Sequence, residues 1–304
     1  IGILNNLLLK ADKNLLTISA TDLDIGIRNS CEVGVEKPGA ITLPARRLFS
    51  IIRELPSEEL TLDVDSKLGA TIRCGSAFFK IMGMPSEEFP TIPEFPAKTS
   101  DKNPIYKIEQ KGLKELLKRV SYAMSADEKR YVLNGLLLCL KEGKLTIVAT
   151  DGRRLALTDQ ELDFPKSGER EFILPAKAVL ELQRLLGDKD EVAFALLENQ
   201  ILFSFGQTEI AAKMVEGNYP NYRQVIPADA KERVTLEREL FLNSVRRVAL
   251  LSSEKSNSVK LTFGKNNLEI AANTPDVGEA HESIPVQYKG KEFTMAFNPE
   301  FLID

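Results

Sequence analysis

Leu133-Asn134-Gly135-Leu136-Leu137-Leu138, followed twelve residues on by Leu145-Thr146-Ile147-Val148-Ala149-Thr150-Asp151, decides the fold, because the chain contains this pair a second time. Leu4-Asn5-Asn6-Leu7-Leu8-Leu9 and Leu16-Thr17-Ile18-Ser19-Ala20-Thr21-Asp22 stand 129 residues earlier, with the same internal spacing. A weaker third copy, Leu268-Glu269-Ile270-Ala271-Ala272-Asn273, lies 123 residues after the second. Another block recurs in the same order: Leu43-Pro44-Ala45-Arg46-Arg47-Leu48-Phe49, Leu174-Pro175-Ala176-Lys177-Ala178-Val179-Leu180 and Ala296-Phe297-Asn298-Pro299-Glu300-Phe301-Leu302. Phe89-Pro90 likewise pairs with Tyr219-Pro220, each ahead of an Ile-Pro, at Ile92-Pro93 and Ile226-Pro227. Solenoid repeats have periods of about 20–50 residues, so a recurrence this long means duplicated whole domains.

The middle copy reads most clearly. Leu113, Leu116, Leu117 and Val120 fall at i, i+3, i+4 and i+7, which predicts a helix over 111–125. Strands are expected over 134–140 and 144–150 around the Glu142-Gly143 turn, then over 154–159, 171–174, 192–196, 201–205 and 209–214. Pro175 suits the first turn of a second helix, and Gly187 suits its C-terminal stop. Each copy is therefore an α+β unit of two helices laid on strands. The expected domains are 1–97, 98–227 and 228–304, joined by proline-rich connectors at 84–104 and 227–233 that are extended rather than flexible. By the repeat, the first copy lacks what matches roughly 103–129 and the last lacks what matches roughly 183–227, so the sequence reads as truncated at both ends.

Composition narrows the function. With 304 residues, 43% hydrophobic and 28% charged, the chain reads as an ordinary globular protein of two or three domains. No apolar run reaches the roughly 18 residues of a membrane span, and residues 1–10 lack the basic start of a secretion signal. Cys31, Cys74 and Cys139 are odd in number and far apart, which predicts reduced, half-buried strand residues in a cytoplasmic protein. His281 is the only histidine and is expected just ahead of a strand over 282–286. Serine or cysteine catalysis of the usual kind would rest on it alone, and a zinc site lacks its ligand pairs. No cofactor or metal is expected.

The net charge of −4 is distributed unevenly. Lys111, Lys114, Lys118 and Arg119 face a single Glu115; Arg46, Arg47 and Arg53 face Glu54; Lys177 and Arg184 face Glu181; Arg238, Arg246 and Arg247 outnumber Glu237 and Glu239. All four of these helical segments are net basic in an acidic chain. Lys111, Lys114 and Lys118 share one face, opposite the leucines. A solvated helix face explains one such stripe; its recurrence in four helices points to a surface for phosphates. No base-reading motif is evident, so contact would be loose and independent of sequence.

Taken together, Tyr131-Val132-Leu133-Asn134-Gly135, Ala149-Thr150-Asp151-Gly152-Arg153-Arg154-Leu155-Ala156, Gly217-Asn218-Tyr219-Pro220-Asn221-Tyr222-Arg223-Gln224-Val225-Ile226-Pro227, Ser253-Glu254-Lys255-Ser256-Asn257 and Ala296-Phe297-Asn298-Pro299 resemble the β sliding clamps of bacterial DNA polymerase III along essentially the whole chain. The resemblance implies three domains of one fold, a head-to-tail homodimer closed into a ring, helices lining the hole and double-stranded DNA passing through it. It implies a non-catalytic processivity factor, cytoplasmic and associated with the nucleoid. The DNA-facing positions implied are Arg46, Arg53, Lys111, Lys114, Lys118, Tyr131, Lys177, Arg184 and Arg246. A pocket for short linear motifs from the DNA polymerase III alpha subunit, the clamp loader, other polymerases and repair proteins is implied at Leu133, Thr150, Gly152, Arg153, Arg154, Leu155, Pro220 and Val225. Arg47 and Phe79 are implied to meet Leu250 and Leu251 of the partner. Position 153 is often His in the family and is Arg here, and position 224 is Arg in some members and is Gln here. The tail that completes the pocket in the family is absent from this sequence, which implies weak motif binding.

Two rival readings stay open on the residues. A metal-dependent enzyme acting on nucleic acid would use Asp22, Asp24 and Asp151; yet Asp22 and Asp151 are repeat equivalents, as expected of turn residues rather than a catalytic group. A peptide-binding scaffold that never encloses DNA is the other.

Overall fold

The computed structural model describes residues 2–56, 58–100, 104–164, 169–228, 232–252, 257–275 and 277–304. The chain divides into two compact units, Ile1–Tyr219 and Pro220–Asp304.

In the first unit, β1 (Asn6–Asp12), β2 (Leu15–Thr21), β3 (Ile25–Glu32) and β4 (Gly39–Pro44) lead into α1 (Ala45–Glu54), then β5 (Thr61–Val64), β6 (Gly69–Cys74) and β7 (Ala77–Met82). The second copy opens with β8 (Ile105–Glu109) and α2 (Gln110–Ser121). It continues with β9 (Gly135–Lys141), β10 (Lys144–Thr150), β11 (Leu155–Glu161), β12 (Arg170–Pro175), α3 (Ala176–Leu185), β13 (Glu191–Leu196), β14 (Gln200–Phe205) and β15 (Thr208–Lys213). In the second unit, α4 (Arg238–Ala249) precedes β16 (Val259–Gly264), β17 (Asn267–Thr274), β18 (Gly278–Pro285), β19 (Phe293–Phe297) and α5 (Pro299–Ile303). Strands run in the spatial order β4-β1-β2-β3, β12-β9-β10-β11 and β19-β16-β17-β18, so the duplicated sequence folds three times into one antiparallel pattern.

The leucine-rich run of β9 is buried on both faces: Leu136, Leu138 and Leu140 enter the main core, and Leu137 and Cys139 lie on the other side. Leu113, Leu116, Leu117 and Val120 of α2 close that core together with Ala178, Val179 and Leu182 of α3. Each fully buried leucine contributes about 1.5–3 kcal/mol, which holds both helices to the sheets. The second unit repeats this on a smaller scale, with Val245 and Val248 of α4 against Val259, Leu261, Leu268 and Ile270. There Ser244 donates to Glu282 at 2.7 Å and Arg247 Nε donates to Glu282 at 3.0 Å, tying α4 to β18.

The first two copies share one eight-stranded sheet, β4-β1-β2-β3-β15-β14-β13-β8. Its seam is β3 against β15, with Ile27 opposite Ile210 and Gly26 opposite Ala211. Arg28 and Glu209 pair across the seam at 2.7 Å. Part of the connector lies on the same sheet, with Phe89 and Ile92 buried. Gly26 permits this approach, since a Cβ there would sit 2.8 Å from Ile92 Cγ2.

Several details differ from the sequence reading. The helix expected over 111–125 is Gln110–Ser121. Pro175 is the last residue of β12 and the cap of α3 rather than a residue of its first turn, because its ψ of 147° is extended. Gly187 does not adopt the left-handed stop. Leu186 ends α3 in an extended conformation, and α2 supplies the cap: Gln110 Oε1 accepts from Gly187 N at 2.9 Å and Lys114 Nζ donates to Leu186 O at 2.7 Å. Cys74 and Cys139 are fully buried and Cys31 is exposed, so none of the three is half-buried. His281 lies within β18, not ahead of it. The stretch 253–256, quoted for the resemblance, falls outside the described residues.

Candidate functional site

The expected phosphate-facing cations divide by what they already hold. Arg46 and Arg47 on α1, Lys111 and Lys118 on α2, and Arg246 on α4 are exposed. Among the described residues these five make no ion pair or side-chain hydrogen bond. Arg53 pairs with Glu54 at 3.2 Å and lies over the Phe49 ring, 5.6 Å from its centroid. Arg184 pairs with Glu181. Lys177 forms an ion pair with Asp22 of the first copy. Lys114 departs from the stripe expected of it: it is half-buried and its ammonium serves the end of α3. Tyr131 follows a 3-10 turn, Glu128–Arg130, and is 60% exposed.

The turn after β10 is built by its own side chains. Thr150 Oγ1 accepts from Gly152 N at 3.0 Å and donates to Arg154 O at 2.7 Å. Asp151 Oδ1 accepts from Arg153 N at 2.9 Å and Arg154 N at 3.0 Å. Gly152 carries φ +87°, the left-handed conformation that glycine adopts without strain. The equivalent turn of the first copy has the same four bonds. Leu23 N donates to Thr21 Oγ1, Thr21 Oγ1 donates to Ile25 O, and Asp22 Oδ1 accepts from Asp24 N and Ile25 N. Asp22 and Asp151 are therefore turn residues, and each is also ion-paired, with Lys177 and Arg154 respectively. Asp24 pairs with Lys213 at 3.4 Å. Among the described residues no group of three or more His, Cys, Asp or Glu is placed to hold a metal ion. Burial pushes the Asp151 carboxyl up, but the Arg153 and Arg154 backbone N–H groups and the Arg154 side chain together hold it below its ordinary value.

Around this turn, Leu133 and Leu155 are half-buried, and Gly152 and Arg153 are exposed. Arg154 is held in place: Nε donates to Asp151 Oδ2 at 3.1 Å, Nη2 donates to Tyr122 O at 2.7 Å, and Cζ lies 5.5 Å from the Tyr122 ring centroid. Arg130 Nη1 donates to Asp151 O at 3.1 Å. The sequence reading did not identify Tyr122 or Arg130; the detectable signal was Arg154 standing where the first copy has Ile25. Pro220 and Val225 belong to the second unit, where Val225 is 71% exposed and donates its N–H to Tyr222 O at 3.3 Å. A wide groove of about 1370 Å3 lies elsewhere, over β1–β3 beside Phe89, Ile92 and Phe95, and is lined by none of the expected site residues.

Tyr219 Oη accepts from Thr150 N at 3.0 Å. Burial raises its phenol from 10.0 to about 12, against the smaller opposing effect of the Thr150 N–H. The folded chain thus favours the neutral phenol more than the unfolded chain does. Its contribution to stability is complete below pH 10.0 and is lost as pH rises towards 12. Tyr219→Phe should remove the latest-ionising step from a phenolate absorbance titration; an unchanged titration would show that the late step belongs to another tyrosine.

Two further apolar sets include exposed side chains. Phe79 lies on β7, the edge strand of the sheet β5-β6-β7, flanked by exposed Phe78 and Met82. In the second unit Leu250, just past α4, is 80% exposed, and Leu251 is half-buried with its carbonyl accepting from Thr274 Oγ1 at 2.7 Å. Leu250 is thus not the core residue that a helix end would suggest. Among the described residues no helix is long and apolar enough to cross a membrane.

Comparison with known proteins gives three consecutive family matches. They are the DNA polymerase III beta subunit N-terminal domain over residues 1–93, central domain over 107–221 and C-terminal domain over 223–304. The beta sliding clamp of Chlamydia muridarum is 33% identical over 305 residues, covering 100% of this chain and 82% of that protein. The crystal structure of the Pseudomonas aeruginosa DNA polymerase sliding clamp with ligand matches with TM-score 0.93 and 33% identity, over 100% of this chain and 82% of that one. The Bartonella birtlesii sliding clamp bound to griselimycin matches with TM-score 0.93 and 34% identity, at the same coverage of 100% and 82%.

Proposed function

Because the chain belongs to the DNA polymerase III beta subunit family, the sliding clamps, and is a non-catalytic processivity factor, we propose that it encircles duplex DNA as a head-to-tail homodimer and tethers the replicative polymerase there. The observation that carries this reading is the β3–β15 seam, which joins one copy of the module to the next. Repeat equivalence places β18 where β3 stands and β7 where β15 stands, and both are sheet edges. Edge strands with unpaired backbone groups are templates for pairing with another chain. Transferring the seam's register sets Ala280 of one protomer opposite Phe79 of the other, and Glu279 opposite Lys80. Arg47 follows Arg46, the repeat equivalent of Lys177, which meets Asp22 beside the first seam. Leu251 flanks β18: a Cβ on Gly278 would lie 3.8 Å from Leu251 Cδ1. Three domains, at 1–97, 98–227 and 228–304, then become six in the dimer.

DNA contact falls to Arg46, Arg53, Lys111, Lys114, Lys118, Tyr131, Lys177, Arg184 and Arg246. The exposed cations without ion pairs contribute most, and the paired ones adjust as phosphates approach. Weak, sequence-independent contact suits sliding, because tight phosphate binding would hold the ring in place. Lys111→Gln with Lys118→Gln should lower the salt slope of duplex binding by about 2 and leave retention on a circle intact.

Short linear motifs of the alpha subunit, the clamp loader, other polymerases and repair proteins dock at Leu133, Thr150, Gly152, Arg153, Arg154, Leu155, Pro220 and Val225. The Bartonella birtlesii clamp binds griselimycin, and this chain should take the same compound. The protein acts in the cytoplasm, at the nucleoid. The deciding experiment loads it onto nicked circular DNA with its clamp loader: it should co-elute with the circle and be lost when the circle is cut. Equal retention on both forms would leave a scaffold or an ordinary DNA binder.

A further inference from the structure

We propose that His281 makes the seam between two protomers sensitive to pH, so that protonating it loosens the dimer. The inference rests on the head-to-tail reading above and deepens it at one pair of residues. Within the chain, the β3–β15 seam sets Arg28 opposite Glu209, and the two pair at 2.7 Å. Arg28 Nη2 also donates to Ile92 O at 3.0 Å. Arginine keeps its charge throughout the range in which proteins work, so this seam is closed by fixed charges. Transfer of its register, which sets Ala280 opposite Phe79, also sets His281 opposite Phe78, at the positions of Arg28 and Glu209. Successive strand residues alternate between faces. Ile284 of β18 and Ile81 of β7 enter their cores, so His281 and Phe78 both lie on the face turned away from them. Both are exposed in the single chain, Phe78 by 54%. His281 is the only histidine of the sequence, and it stands where the permanent seam has a fixed cation.

The charges around this pair set the direction of the effect. On the side of β7, Arg73 of β6 is the neighbour of Phe78, and its Cζ lies 4.8 Å from the Phe78 ring centroid. Lys80, two residues along, pairs with Asp65 at 2.7 Å and faces Glu279 in the transferred register. Glu58 stands by the β6–β7 turn, where a Cβ on Gly75 would lie 3.2 Å from its Oε2. On the side of β18, Glu279 shares the face of His281. Ala271 of β17 lies directly beside His281, with Glu269 and Asn273 two residues to either side and Lys260 of β16 beyond. Glu269 and Glu279 accompany His281 in a separated protomer as well as in the dimer, so they do not favour assembly. The dimer adds Arg73 on the facing ring, and Lys80, which engages Glu279. A neutral imidazole packs on Phe78 as one aromatic group on another. An imidazolium there meets a ring that already carries a guanidinium, and like charges on facing strands are destabilising. Histidine is the side chain that changes charge between about pH 5 and 8. Separated protomers therefore hold the proton better than the dimer does. The dimer is tightest at the alkaline end of that range and weakens as pH falls, with one proton taken up at each of its two seams.

The test sediments the full chain across a concentration series at about pH 8 and about pH 5.5, at one ionic strength. The dissociation constant of the wild-type dimer should rise about tenfold between the two, about threefold for each seam. His281→Gln keeps a polar side chain without the charge, and its dissociation constant should stay within about twofold. Arg73→Gln removes the opposing cation and should cut the wild-type rise to about threefold or less. Circular dichroism at both pH values checks that each protein stays folded. A tenfold rise that persists in His281→Gln or in Arg73→Gln overturns the proposal. A wild-type dimer equally tight at both pH values overturns it too and leaves the head-to-tail reading standing. A wild type that is monomeric at about pH 8 removes both.

Discussion

Replacing Leu250 and Leu251 together by alanine should leave a folded monomer where the unaltered chain sediments as a dimer. Leu250 is 80% exposed, so its side chain is available for the partner to cover in the proposed dimer. The core residues of α4 are Leu242, Val245 and Val248, so the double substitution removes side chains from the helix end without opening a cavity. Apolar anchors at the centre of an interface dominate its energy. Two leucines truncated there should cost about 3–4 kcal/mol, a few hundred-fold in dimer dissociation constant. Sedimentation across a concentration series reads that shift directly, and a circular dichroism melt should be nearly unchanged. A dimer of undiminished strength would remove Leu250 and Leu251 from the interface and leave the seam between β18 and β7 to be tested on its own, by reversing Glu279 and Lys80.

Gly135→Ala should destabilise the central domain by about 3 kcal/mol, although it adds a single methyl group. Gly135 opens β9 opposite Pro175 of β12. A Cβ there would lie 2.5 Å from the Leu174 carbonyl oxygen and 3.1 Å from Ile173 Cγ2. The nearer obstacle is backbone in a buried strand and cannot swing aside as a side-chain tip would. Relief would require β12 to move, and α3 follows β12 directly. Gly34→Ala is the control, since nothing lies within 4 Å of its added Cβ. Urea melts of the two variants should separate clearly. Equal midpoints would mean that β9 and β12 separate without cost.

Much of the fold was legible because duplication writes the same physical pattern more than once. The leucine stripe of α2 and the apolar runs of β9 and β10 carry unambiguous periods, and their recurrence placed the equivalent elements of the other copies. The ends of elements were less legible. Gly187 looked like a helix stop, but the cap of α3 comes from Gln110 and Lys114, residues more than seventy positions away that no local rule connects to it. Lys114 fell on the basic stripe by its spacing, yet its length lets the ammonium reach a buried carbonyl. Lys177 looked like one more cation of a DNA-facing helix; its bond to Asp22 depends on how two copies meet.

The sequence by itself determined the threefold repeat, the α+β module and the segregation of basic residues onto helices. These depend on short-range periodicity and on comparison of one copy with another. Only the tertiary structure decided which edges are shared and which are open, which cations are already paired, and that Arg154 is held against Tyr122 and Asp151 above a turn that its twin completes without it. Those outcomes are set by side chains brought together from distant parts of the chain, where packing and hydrogen bonding choose the partner.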